Sequence, residues 1–244
     1  MNPSLLDNRA SLPAALALGL SLIIAAMVGS YAFYRVHTLD NTLTVTGSAT
    51  QEATADSAKW TVSLSRSAYE GSVAQAQAAL AADEQQIAAF MTKGGIAADK
   101  IRTSPTYVDR EYSQDQNAPQ KYTVRGDVTI TSDDPKLVEK LSKDISVLAA
   151  RGIVVSAQTP EYYISNLPEL RIALIGKAVA DAKARATEIA KSTGRSVGAL
   201  QSASGGVVQV LAPDSIDVSD YGNYDTSTID KKVMVTARAT FYLR

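Results

Sequence analysis

The chemistry open to this chain is narrowed first by what its 244 residues lack: it has one histidine, His37, and no cysteine. Thiolate catalysis, disulfides and cysteine-held metals are therefore excluded. His37 titrates in the range of a pH sensor. It follows directly on a long apolar segment, however, where a juxtamembrane linker residue is the plainer reading, and any Ser-His nucleophile would have to be built on that one residue. The acidic residues are the remaining resource. Asp214, Asp217, Asp220, Asp225 and Asp230 lie close together and could in principle supply hard oxygen ligands to Ca²⁺, but their spacing fits no EF-hand, and a solvated loop or subunit contact explains them better. Gly205-Gly206 runs into apolar strand residues rather than a helix N-terminus, so it reads as a turn and not a phosphate cradle. Folding can always bring distant carboxylates together for acid-base work. Here the charged residues fall mostly on the polar half of helical and alternating patterns, where solvated faces are expected. The reading is of a non-enzymatic chain with no catalytic residue, metal site or cofactor; an enzyme using acidic residues is the lesser alternative.

A net charge of −1 with interspersed signs lacks the basic stripe that phosphate backbones require, so a nucleic-acid partner is not expected. The tyrosines carry a different chemistry. Tyr107, Tyr112, Tyr221 and Tyr224 stand near strand ends and loops, and their combination of rigid apolar area and polar tip suits a subunit interface, although strand packing would also use such residues.

The element that positions everything else is the uncharged stretch Ala10 to Tyr34. At about 1.5 Å per residue it exceeds, as a helix, the roughly 30 Å hydrocarbon core of a bilayer. Leu16, Leu18, Leu20, Leu22, Ile23 and Ile24 supply its apolar cover, and Tyr31, Phe33, Tyr34 and then Arg35 suit its interfacial end. A cleaved signal peptide is the competing reading. The stretch is longer than a usual h-region, its positive start is only Arg9 offset by Asp7, and no clean A-x-A triplet precedes a break, which favours a retained anchor. Arg9 and Arg35 balance, so positive-inside bias does not fix the orientation. Ala15 with Gly19 and Ala25 with Gly29 are small residues four apart, a weak helix-pairing signal.

The remainder alternates strand and helix patterns. Thr42 to Gly47 and Ala58 to Ser65 alternate as half-buried strands; Ser72 and Gln75 form a capping-box pattern before a helix that Gly94-Gly95 stops. Ile101 to Val108 reads as a strand, Asp109 to Gln120 as an exposed hairpin loop, and Tyr122 to Ile130 as a strand whose Gly126 marks a bulge or a close backbone approach. Asp134-Pro135 opens a helix by N-cap and first-turn proline. A strand starts at Ile153, and Asn166 with Glu169 begins a long alanine-lined helix reaching Gly194. A short strand around Val207 to Leu211, an acidic loop from Pro213 to Asp230 and a long alternating strand through Leu243 complete the order. The fold class is α+β, with mixed or antiparallel sheets covered by helices on one face and division into two subdomains. The organisation reads as a tail 1–9, an anchor 10–34, a linker 35–41 and one α+β domain 42–244, with a candidate seam at 109–120.

Several of these segments together resemble the SIMPL-domain family: Leu43-Thr44-Val45-Thr46-Gly47-Ser48-Ala49, Gly94-Gly95-Ile96 with Asp99-Lys100-Ile101-Arg102-Thr103, and Leu170 to Ala190 closed by Gly194 and Gly198. The resemblance implies an extracytoplasmic envelope protein linked to stress defence and to large ring-like or hollow homo-oligomers, and it supplies no catalytic motif. With the apolar N-terminus kept, it implies a single-pass protein of the bacterial inner membrane with its domain on the periplasmic side. The expected partners are the lipid bilayer, further copies of the chain and an unidentified envelope protein. A monomeric or dimeric binding module for such a partner or a small ligand is the alternative.

Overall fold

A computed structural model describes residues 11–38, 41–112, 114, 118–216 and 219–244. The chain opens with α1 (Ser11–Thr38), then β1 (Thr42–Thr54), β2 (Ser57–Tyr69) and α2 (Val73–Lys93). A single 3₁₀ turn leads into β3 (Ile101–Thr103), β4 (Tyr107–Arg110) and β5 (Lys121–Ser132). Next come α3 (Pro135–Asp144), the one-turn α4 (Ser146–Ala149), β6 (Val155–Ala157) and β7 (Glu161–Tyr163). The chain ends with α5 (Leu167–Ser192), β8 (Val197–Leu211) and β9 (Asp230–Leu243). The class is α+β with antiparallel sheets, as the sequence pattern implies.

The chain divides into two compact units. Unit 2 comprises Ser48–Ala178 and Gly205–Thr236, and 109–120 falls inside it. Its main sheet is built on the long antiparallel pair β2–β5, in register from Ala58↔Ser132 to Tyr69↔Lys121. Both edges of that sheet are short: β3 and β4 pair with the outer side of β5, and β6 and β7 with the outer side of β2, each three or four residues long. Alternation then decides what is covered. Trp60, Val62 and Leu64 of β2 and Val124, Val128 and Ile130 of β5 are buried, and pack with Leu80, Ile87 and Met91 of α2 and Val138 and Leu141 of α3. Their neighbours of opposite parity, such as Ser63, Ser65, Arg125 and Asp127, stay partly or fully exposed. Trp60, the only tryptophan, is 1% exposed and donates from Nε1 to Gln158 O at 2.7 Å. A second cluster in the same unit joins Ile164, Leu174, Val210, Val233 and Val235.

Unit 1 comprises Met1–Gly47, Val179–Ser204 and Ala237–Arg244. Its core sets Ala182 and Ala186 of α5 against Ala239 and Phe241 of β9, with Leu43, Val45 and Val197 beside them. The alanine face expected for α5 is thus the buried face, and the small side chains let the helix lie close to its strand. β1, β9 and β8 form a three-stranded sheet in that order.

Some local expectations are corrected. Ser72 makes no helix cap; its Oγ donates to Tyr69 O at 2.8 Å and accepts from Tyr69 N, which holds the turn before α2 instead. The strand at 101–108 is broken at Pro105 into β3 and β4. The strand placed at Ile153 begins at Val155, because Ile153 is spent in the core and Val154 faces solvent. Gly205-Gly206 is not a turn but the middle of β8, where an added Cβ at Gly206 would lie 3.0 Å from Thr236 O. Gly126 sits in unbroken register opposite Leu64, so it serves close approach and not a bulge. Asp134 caps α3 as expected, accepting from Leu137 N at 3.1 Å, with Pro135 in the first turn.

Candidate functional site

Three arrangements are candidates for functional chemistry, each described within its own unit. The first is α1. Its Pro13–Arg35 stretch is apolar and long enough to cross a membrane, and none of it is buried. Leu16, Leu18, Leu20, Leu22, Ile23 and Ile24 are all exposed, between 53% and 68%, and their positions distribute apolar surface right around the helix. Apolar surface of this length suits the hydrocarbon of a bilayer. An added Cβ at Gly19 or Gly29 would meet nothing within 4 Å.

The second arrangement is the connection from β8 to β9 in unit 2. Its far end is tied by a buried lysine. Lys231, whose side chain is 0% exposed, donates from Nζ to Asp225 O at 2.5 Å and lies 3.5 Å from Asp225 Oδ2. Asp225 also accepts from Ser227 N and Oγ at 3.1 and 2.6 Å, and from Thr228 N and Oγ1 at 3.2 and 2.5 Å. Burial pushes the Asp225 carboxyl up, but the hydrogen bonds from Ser227 and Thr228, with the Lys231 charge, outweigh it and hold the group well below the usual carboxylate range. Burial likewise pulls Lys231 below its ordinary value, opposed by Asp225. The Lys231 ammonium lies 5.8 Å from the Tyr224 ring centroid.

These bonds define what the acidic loop can do. Asp225 is committed to Ser227, Thr228 and Lys231; Asp230 accepts from Thr54 Oγ1 at 3.3 Å; Asp217 lies outside the described residues. Among the described residues no group of three or more His, Cys, Asp or Glu side chains is arranged to hold a metal ion. The loop is instead fastened to the strands: Lys232 Nζ donates to Ser215 O at 2.8 Å, the buried Gln209 exchanges two hydrogen bonds with Ser219, and Gly222, at φ +87°, lies where an added Cβ would be 3.0 Å from Val208 O. Ile216 and Tyr221 are 89% and 97% exposed.

The third arrangement is a polar insert between α2 and the β2–β5 sheet. Arg66 donates from Nε and Nη2 to the two oxygens of buried Asp83 at 2.6 and 2.8 Å, a bidentate pair. Beside it, Glu84 Oε1 is buried without a hydrogen-bond partner and sits over Gly126, where a Cβ would collide with it. Burial first, and the negative charge of Asp127 second, push the Glu84 carboxyl up. On the other side of the strand Asp127 accepts from Ser63 Oγ at 2.6 Å.

The tyrosines separate into two groups. Tyr107 on β4, Tyr112 beyond it and Tyr221 on the acidic loop are exposed, Tyr112 at 91%. Tyr224 is half-buried: its hydroxyl accepts from Ile164 N at 2.9 Å and its ring lies 5.9 Å from that of Tyr163, so it is used inside its own unit. Sequence reasoning missed Lys231. The signal was present, because Lys231 shares the parity of Val233, Val235, Ala237, Ala239 and Phe241, and so extends the buried face of β9 by one position.

A model of the family SIMPL, described as a protein of unknown function, matches residues 43–241. No curated protein matches the chain.

Proposed function

The chain belongs to the SIMPL family, and from that membership we propose that it is a non-enzymatic, membrane-anchored module that works by self-assembly. The observation that supports the anchoring is α1, an apolar helix of membrane-spanning length, while the self-assembly rests on the family resemblance. Held by this helix, the α+β domain stands on the periplasmic side of a bacterial inner membrane. Many copies on one bilayer share a raised effective concentration, so contacts too weak to associate freely diffusing chains suffice to close a symmetric ring. The outward Tyr107, Tyr112 and Tyr221 provide rigid apolar area for such contacts. The family resemblance adds a role in envelope stress defence, with an unidentified envelope protein as a further partner.

The test is size and state of the N-terminus together. Full-length protein is extracted from membranes in mild detergent, its intact mass is measured, and its particle mass is read by light scattering. Retention of α1 and a particle many times the 25.8 kDa chain are expected. A chain cleaved after Tyr34, or an uncleaved monomer or dimer across a hundredfold concentration range, refutes the proposal, the second result favouring a binding module.

A further inference from the structure

A groove of about 530 Å³ lies between α2 and the α3–α4 segment of unit 2. Phe90, Leu137 and Val147 give it apolar lining, and Val147 is 49% exposed. Lys93, Lys140 and Arg151 stand around it with the single carboxylate of Asp144. Among the described residues none of these three cations is in an ion pair. An apolar trough with a net positive rim calls for an occupant that is both apolar and acidic.

The same chain displays such a surface. Ile216 and Tyr221 project from the β8–β9 connection, with the exposed Asp214 and Asp220 next to them. Residues 215 and 219 are bonded to Lys232 and Gln209 respectively, which reduces the cost of ordering these positions on binding. Pro213, near where that connection begins, does not line the groove and lies on the other flank of α3. Lys136, Glu139 and Lys143 face the side where Pro213 and Ser227 lie, while Leu137, Lys140 and Asp144 face the groove. A donor and an acceptor on separate flanks of one subunit are complementary between copies, which makes the contact heterologous and able to propagate around a ring.

We infer that the groove between α2 and α3 receives Ile216 and Tyr221 of a second copy of the chain, with Asp214 and Asp220 of that copy meeting Lys93, Lys140 and Arg151. The inference rests on the self-assembly proposed above and supplies its interface.

The experiment uses full-length protein in detergent and exposed residues only. Variant G carries Lys93→Glu and Lys140→Glu; variant L carries Asp214→Lys and Asp220→Lys. Each alone places like charges across the contact and weakens association on the order of a hundredfold. An equimolar mixture of G and L restores opposite charges at every junction, as does one chain carrying all four substitutions, and both recover the wild-type particle. Circular dichroism and Trp60 fluorescence verify that each variant is folded. If wild type assembles and G and L assemble equally well, the groove is not the interface, although self-assembly stands. If wild type does not assemble, the underlying reading fails first. Loss of binding to anionic phosphatidylglycerol vesicles in G, with particle mass unchanged, would show lipid as the occupant and overturn the inference.

Discussion

Lys231 and Asp225 share one buried contact, yet removing either partner should have very different costs. Asp225→Ala leaves a fully buried ammonium with only the residue-225 carbonyl at 2.5 Å, and strips an acceptor from four donors on Ser227 and Thr228. Uncompensated buried charges of this kind cost about 3–5 kcal/mol. Lys231→Met removes the charge along with its desolvation penalty. The carboxylate keeps its four donors and its 16% exposure, so the loss is essentially one hydrogen bond from a charged donor to a carbonyl, about 1.5–3 kcal/mol. Asp225→Ala should therefore be the more damaging by about 2 kcal/mol. Urea unfolding of the full-length chain in detergent, followed by Trp60 fluorescence, reads the relevant unit, because Trp60 is the only tryptophan and lies in unit 2 with both residues. With m-values of about 1–3 kcal/mol per molar, the two midpoints should differ by roughly 1 M. There is also an acid signature. The folded Asp225 holds its proton less tightly than the unfolded group, so its contribution is present above the ordinary value of 3.8 and is lost as pH falls below it. The gap between wild type and Asp225→Ala should shrink there. Equal costs for the two substitutions, or a greater cost for Lys231→Met, would show that the lysine is held by packing alone.

Glu84→Gln removes the charge from the unpartnered oxygen over Gly126 and should stabilise the chain by about 1 kcal/mol at neutral pH. Because Glu84 is pushed above its ordinary 4.5, the folded state binds the extra proton, and the wild type loses stability as pH rises through that window; the advantage of Gln should vanish at about pH 4 in the same urea assay. Asp134→Ala removes the acceptor for Leu137 N and should cost about 1 kcal/mol, with Asp134→Asn close to neutral, measured by the same unfolding midpoint.

What the sequence reveals depends on whether a residue's partner is nearby in the chain or contributed by another segment. β9 is legible because a long strand with one wet face repeats its alternation many times, and α3 because Asp134-Pro135 is a complete local start signal. The first part of β8 is not, since Gln201, Ser202, Ala203 and Ser204 are exposed and carry no apolar alternation; its ladder to β9 alone makes it a strand. β6 and β7 are too short to show a period and exist because β2 offers them an edge. Ser72 has the residue type of a cap and is claimed by Tyr69 three positions back. Among the site residues, the apolar cover of α1 is plain in composition. The loop ties of Gln209 and Lys232, and the charged groove beside Phe90, arise only when segments far apart in sequence meet.

The short rims of the six-stranded sheet bear on life in a crowd. Strands of three or four residues offer few free amides and carbonyls to a neighbouring chain, which blunts these edges against backbone pairing. The three-stranded sheet differs, for its edges are the long strands β1 and β8, of 13 and 15 residues.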